Sequence, residues 1–227
     1  MCGINGSIGL GDIGLDKIKS ILDYMNDAII HRGPDDDGYF FEQNENFHLG
    51  MAMRRLSIID LTTGKQPIYS QNKENVIVFN GEIYNYQFLR NQLKDEGYEF
   101  NTTSDTEVII NLYECYGVDG FGLLDGAFAF SIFDKKNQKL FIARDFFGEK
   151  PLYYYAGDNE FIWASELKSI IRVLPYKPQI DKEALNIYFQ LTYIPAPYTI
   201  YEGVRKLEAN QYLSIDCKNL NLEINEV

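Results

Sequence analysis

The chain has 227 residues, enough for one large domain, and its 45% of hydrophobic residues is ample for a buried core. A formal net charge of −12 and a pI near 4.6 exclude a nucleic-acid footprint, because such a surface repels phosphate instead of displacing its counterions. Three widely spaced cysteines, Cys2, Cys115 and Cys217, form neither a disulfide framework nor a zinc spacing and fit a reducing cytoplasm. With only His31 and His48 available, imidazole metal sites have little material, so no metal is expected. No basic segment precedes an apolar run at the N-terminus, and no stretch approaches the ~20 apolar residues that span a bilayer. A soluble protein is expected, with a small-molecule substrate or a protein partner.

From Ile18 the apolar residues Ile21, Leu22, Met25, Ala28 and Ile29 recur at helical spacing, while Asp16, Lys17, Lys19, Asp23 and Asn26 face elsewhere. This predicts an amphipathic helix ending near Arg32-Gly33-Pro34. Paired strands follow at residues 38–42 and 47–53. Residues 75–79 read as a buried strand, with a tight turn at Asn80-Gly81-Glu82. Residues 86–96 have helix-forming composition, and Gly97 suits a left-handed cap. Ser104-Asp105-Thr106-Glu107 is a capping-box pattern opening a helix with Val108, Ile109, Leu112 and Tyr116 on one face. Two hairpins are predicted, residues 128–134 with 139–144 and residues 152–155 with 161–164. A helix over 182–191, a loop at Pro195 and Pro197 and a strand over 212–215 complete the pattern, with residues 216–227 starting a linker. Strands and helices come in blocks, which favours an α+β fold of mainly antiparallel sheets with helices on their outer faces.

The N-terminus carries the most suggestive chemistry. A small second residue favours removal of the initiator Met, which would place a free α-amine on the same residue as the Cys2 thiol. In model peptides an α-amine titrates near ~8 and a thiol near ~8.5, so such an amine can serve as base for its own side chain. Alternatives stay open: Cys2 as an ordinary apolar residue of a first strand, or a dyad with His31. Acyl transfer also needs oxyanion donors, which the Asn80 amide and the Gly81 N–H could supply, although Asn-Gly is also the commonest turn signal. An amino-acid substrate needs a cation for its carboxylate and an anion for its ammonium. Arg55 and Asp105 qualify, or they are surface charge and a helix-start acid respectively.

Together these pieces resemble the glutaminase domain of class II glutamine amidotransferases, which are N-terminal nucleophile hydrolases. More narrowly they are similar to the N-terminal half of glutamine-hydrolysing asparagine synthetases. The resemblance runs through Met1-Cys2-Gly3-Ile4, His31-Arg32-Gly33-Pro34-Asp35, Arg55-Leu56-Ser57-Ile58-Ile59-Asp60, Asn80-Gly81-Glu82-Ile83-Tyr84-Asn85 and Ser104-Asp105-Thr106-Glu107. It continues through Phe128-Ala129-Phe130, Ala143-Arg144-Asp145, Gly148, Lys150-Pro151-Leu152-Tyr153 and Ala164-Ser165-Glu166. It implies a four-layer αββα sandwich over residues 1–215. It further implies Cys2 as nucleophile with its own amine as base, and Asn80 and Gly81 as the oxyanion hole. Arg55 would hold the glutamine carboxylate, Glu82 and Asp105 its amine, and backbone near Leu56, Ile58 and Ile59 would line the pocket. The arginine motif points to the synthetase branch, where released ammonia amidates aspartate. Departures from the family pattern are Met53 for a common histidine, Ala127 for a methionine and Glu208-Ala209-Asn210 for a Pro-Gly pair. The resemblance also implies that ATP and Mg²⁺ belong to a synthetase domain or subunit, since the chain lacks a Ser-Gly-Gly-x-Asp-Ser loop, and that the complete enzyme is often a homodimer.

Overall fold

Long apolar and aromatic runs pair side by side, and the computed structural model, which describes residues 2–56 and 64–227, places them in two six-stranded antiparallel sheets. At the centre of the first is β1 (Gly3–Leu10), between β3 (Phe47–Arg55) and β9 (Glu160–Ala164). Beyond β3 lies β2 (Asp36–Gln43), and beyond β9 lie β8 (Tyr153–Ala156) and β10 (Val204–Lys206). The second sheet runs β4 (Ile68–Tyr69), β5 (Asn75–Ile83), β6 (Gly126–Asp134), β7 (Lys139–Arg144), β11 (Gln211–Asp216) and β12 (Leu222–Glu226).

Strand alternation sends one set of side chains between the sheets and the other outward. Ile4 and Ile8 of β1 meet Val76, Val78, Ala129 and Ile142 in the inter-sheet core, together with Trp163. The Trp163 ring occupies the space a side chain at Gly6 would need: a Cβ there would come within 1.9 Å of it. Outside the first sheet, α1 (Leu15–Ala28) buries Ile18, Leu22 and Met25, and α4 (Leu167–Ile171) buries Ile170. Outside the second, α2 (Tyr86–Asp95) and α3 (Asp105–Tyr116) pack on Ile77, Phe79 and Ile132. The result is an αββα sandwich, as expected, and no helix among the described residues is long and apolar enough to cross a membrane.

The hairpins β6–β7 and β8–β9 form as expected, as do α2, which is followed by Gly97 at φ 94°, and α5 (Lys182–Leu191), capped by the Asp181 carboxylate. Several expectations are corrected. Asn80-Gly81 is not a turn: β5 continues through it, pairing Asn80 with Ala129 and Gly81 with Phe128. The partner strand β6 is as long as β5, so the ladder has no reason to stop. Asn26 is fully buried, its Oδ1 accepting from Asn5 Nδ2 at 2.7 Å and its Nδ2 donating to the Met53 carbonyl at 3.4 Å, so it faces β1 and β3 and not solvent. In α3, Tyr116 is exposed and Tyr113 takes the buried position, its hydroxyl donating to Asp134 at 2.7 Å. Ser104 caps α3 by accepting from Thr106 N, but Glu107 does not close a capping box. Its carboxylate instead accepts from Asn101 N and Thr102 N at 2.8 and 2.7 Å, tying down the preceding loop. Within residues 216–227 the structure adds β12, hydrogen-bonded along β11.

Candidate active site

The central position of β1 fixes where the chain begins. Gly3 stands opposite Arg54 on β3, so Cys2 falls beside Arg55 and Leu56, where β3 ends. The Leu56 backbone cradles the sulfur: its N–H donates to Cys2 Sγ at 3.4 Å, and its carbonyl accepts from the thiol at 3.7 Å. Cys2 is half-buried, and its sulfur faces a cleft of about 250 Å³. At ~30 Å³ per water that is room for on the order of eight waters, or one amino-acid-sized molecule.

Both sheets and one helix supply the walls. Arg55 and Leu56 come from the end of β3; Phe79, Asn80, Gly81 and Glu82 from β5; Ser104, Asp105 and Thr106 from the start of α3. The sequence-predicted Cys2, Asn80, Gly81, Arg55, Leu56, Glu82 and Asp105 therefore meet in one cavity. Ile58 and Ile59 lie outside the described residues.

Asn80 is 1% exposed, and its Nδ2 has no hydrogen-bond partner among the described residues. A buried amide left without an acceptor costs about 1–3 kcal/mol, and Asn80 is among the residues that line the cleft. Gly81 follows from strand geometry. Phe79 N donates to the Gln66 side chain at 2.6 Å and Ile83 N to Asp105 Oδ2 at 3.0 Å, both away from β6. Backbone direction repeats every second residue, so the Gly81 N–H between them faces the same edge, toward the cleft.

Asp105, 5% exposed, opens α3 and also accepts from the Ser104 hydroxyl at 3.4 Å. Burial raises its pKa above 3.8; backbone hydrogen bonds, from Ile83 foremost, work against that, and the charge of Glu82 adds to the rise. A cation docked beside it would relieve this penalty. Arg55 is 5% exposed and lines the cleft, whereas Arg54 turns outward to Asp27 and Asp37 at 3.4 and 3.5 Å. His31 does not join a dyad: it is exposed, bonds Glu166 through Nε2 at 2.9 Å, and is absent from the cleft lining.

Sequence reasoning assigned no role in the site to Lys150, Gln66, Ser104 or Thr106, which also line the cleft. Lys150 arrives through a loop built on the fully buried Asp145, whose carboxylate accepts from Phe128 N, Phe147 N, Glu149 N and Lys150 N at 2.8–3.2 Å. The Arg144 guanidinium braces the same loop by donating to the Lys150, Gly148 and Leu207 carbonyls. The signal in the sequence is the cluster Arg144-Asp145 with Gly148 at φ 67°.

A family model described as a glutamine amidotransferase domain matches residues 1–224. A putative asparagine synthetase (glutamine-hydrolyzing) 2 of Methanocaldococcus jannaschii is 43% identical over 233 residues, covering 95% of this chain and 44% of the relative. Asparagine synthetase (glutamine-hydrolyzing) 1 of Bacillus subtilis is 44% identical over 197 residues, covering 87% of this chain and 30% of the relative. The chain thus spans less than half the length of these relatives. Among solved structures, the glutamine phosphoribosylpyrophosphate amidotransferase of B. subtilis, complexed with ADP and GMP, superposes with a TM-score of 0.68 at 19% identity. That likeness covers 99% of this chain and 49% of the other, and at this identity it is one of fold.

Proposed function

The chain belongs to the family of glutamine amidotransferase domains, and from that premise we propose that it hydrolyses glutamine to glutamate and ammonia with Cys2 as nucleophile. The observation that carries this reading is the meeting of the Cys2 sulfur and the unpartnered Asn80 Nδ2 in one small cleft that also holds Arg55 and Asp105. Once Met1 is removed, the Cys2 α-amine takes the thiol proton, directly or through a water. The sulfur then attacks the side-chain amide carbon of glutamine, and the negative charge on the amide oxygen is met by Asn80 Nδ2 and the Gly81 N–H. The α-ammonium returns its proton to the leaving nitrogen as the C–N bond breaks. Ammonia departs, leaving a thioester on Cys2, and water, deprotonated by the same amine, hydrolyses it to glutamate. Arg55 pairs with the substrate carboxylate, and Asp105 with Glu82 accepts its ammonium, which positions the amide over the sulfur.

In the whole protein the ammonia amidates an aspartate activated by ATP with Mg²⁺ in a synthetase segment or subunit, in keeping with the names of the relatives. The three free cysteines support a reducing compartment. Intact mass after incubation with a diazo-ketone glutamine analogue tests the reading. Loss of Met1 and a single adduct absent from Cys2→Ala are expected; a processed chain with no adduct and no ammonia release from glutamine overturns it.

A further inference from the structure

Two motifs of the sequence, His31-Arg32 and Ala164-Ser165-Glu166, find no role in the cleft, yet they meet on the other side of Cys2. Arg32 Nε donates to the Cys2 carbonyl at 2.9 Å, and its Nη1 reaches Glu166 Oε1 at 3.2 Å. Its Nη2 is buried and has no partner, so among the described residues Glu166 is the one side chain holding this guanidinium. The Arg32 stem lies over Gly3, where a Cβ would come within 3.1 Å of its Cδ. Glu166 in turn is gripped by His31 Nε2 at 2.9 Å and Lys168 Nζ at 3.0 Å, and neither it nor Arg32 lines the substrate cleft. The residue before it, Ser165, exchanges hydrogen bonds with Ile4: its hydroxyl accepts from Ile4 N and its N–H donates to Ile4 O, each at 2.9 Å. One short segment thus holds the first residues of the chain at two points.

We propose that Glu166 is a positioning residue for the nucleophile: by fixing Arg32 against the Cys2 carbonyl it sets the direction in which the sulfur and α-nitrogen of Cys2 face the cleft. A chain terminus frays unless tied down, and here the terminal residue must hold both nucleophile and base in register with Asn80 and Gly81. A guanidinium spans this distance because its planar fork can address a carbonyl and a carboxylate together, and a carboxylate partner keeps the half-buried cation from turning out to water.

The inference rests on the glutaminase reading, so the test includes a readout independent of glutamine. In the full chain, Glu166→Ala is expected to lower kcat for glutamine about tenfold or more, the worth of one charge-assisted hydrogen bond, with KM unchanged. Alkylation of Cys2 by iodoacetamide, followed on the N-terminal peptide, is expected to slow several-fold in parallel. A second cleft, lined by Arg32, Tyr153, Ser165 and Lys168, opens beside Glu166, so added formate is expected to refill the vacated carboxylate position and restore both rates, with chloride inert. Wild-type kcat and alkylation in Glu166→Ala overturn the proposal, as does a raised KM at unchanged kcat. A general loss of folding that formate does not relieve also overturns it. If the wild-type chain releases no ammonia from glutamine, the glutaminase reading fails while the alkylation and formate rescue still decide the role of Glu166.

Discussion

Gly81 stands directly opposite Phe128 across the β5–β6 pair, so close that a Cβ on it would lie 2.2 Å from Ala127 O and 2.7 Å from Phe128 Cα. These contacts are backbone, which cannot swing aside, and the same residue offers its N–H to the cleft. Gly81→Ala therefore forces the two strands apart where the proposed oxyanion donors sit. We expect a loss of about 2 kcal/mol, read as a melting temperature lower by roughly 4–8 °C. Glutamine turnover should fall further than the residual folded fraction explains.

Asn80→Ala separates catalysis from folding in the opposite way. The Nδ2 it removes bonds nothing in the described protein, so relief of that unpaired donor offsets the buried volume lost and stability stays near wild type. If that amide stabilises the tetrahedral oxyanion, kcat drops about 10²–10³-fold while KM hardly moves, because the donor is aimed at a charge absent from bound glutamine. Steady-state ammonia release beside a thermal melt checks both halves.

The contrast between these neighbours shows what was legible in the sequence. Hairpin β6–β7 and the stop of α2 at Gly97 rest on local chemistry, and local patterns found them. The Asn80-Gly81 dipeptide has the composition of a turn, and only the equal length of β6, more than forty residues on, keeps it in a strand. Asn26 looked solvent-facing because its partner Asn5 lies on another element. Strand β12 escaped notice because an edge strand needs few buried side chains: Leu222 is half-buried and Ile224 is 51% exposed. The candidate site residues Cys2, Asn80, Arg55 and Asp105, which line one cleft, were singled out together through family resemblance, since each has a bland local reading. Lys150 was missed as a site residue because its position depends on Asp145, a buried carboxylate with no periodic signature.

Asp145→Ala tests that dependence. The substitution strips one fully buried acceptor from four backbone N–H groups that hold residues 145–150 and the start of β6, leaving the buried Phe128 N–H and three half-buried ones without it. A loss of about 3 kcal/mol or more is expected in a denaturant melt. Asp145→Asn, which keeps one acceptor oxygen, should recover only part of it.

Asp105 links stability to pH with a sign opposite to the usual surface carboxylate. Burial, the largest influence, holds its folded pKa above 3.8, so the fold prefers the protonated form. Its contribution is fully present below 3.8, where folded and unfolded chains both carry the proton, and is lost as pH rises through the folded value. Asp105→Asn keeps an oxygen for Ile83 N and never ionises. In urea melts its stability relative to wild type should therefore improve between about pH 3.5 and about pH 7. The same variant gives up the anion proposed to face the substrate ammonium, so KM for glutamine should rise about tenfold or more at neutral pH. A variant at least as stable as wild type at pH 7 but weaker for glutamine identifies Asp105 as a group kept for binding at the expense of folding. An unchanged KM would return it to the helix-start role that its sequence position first suggests.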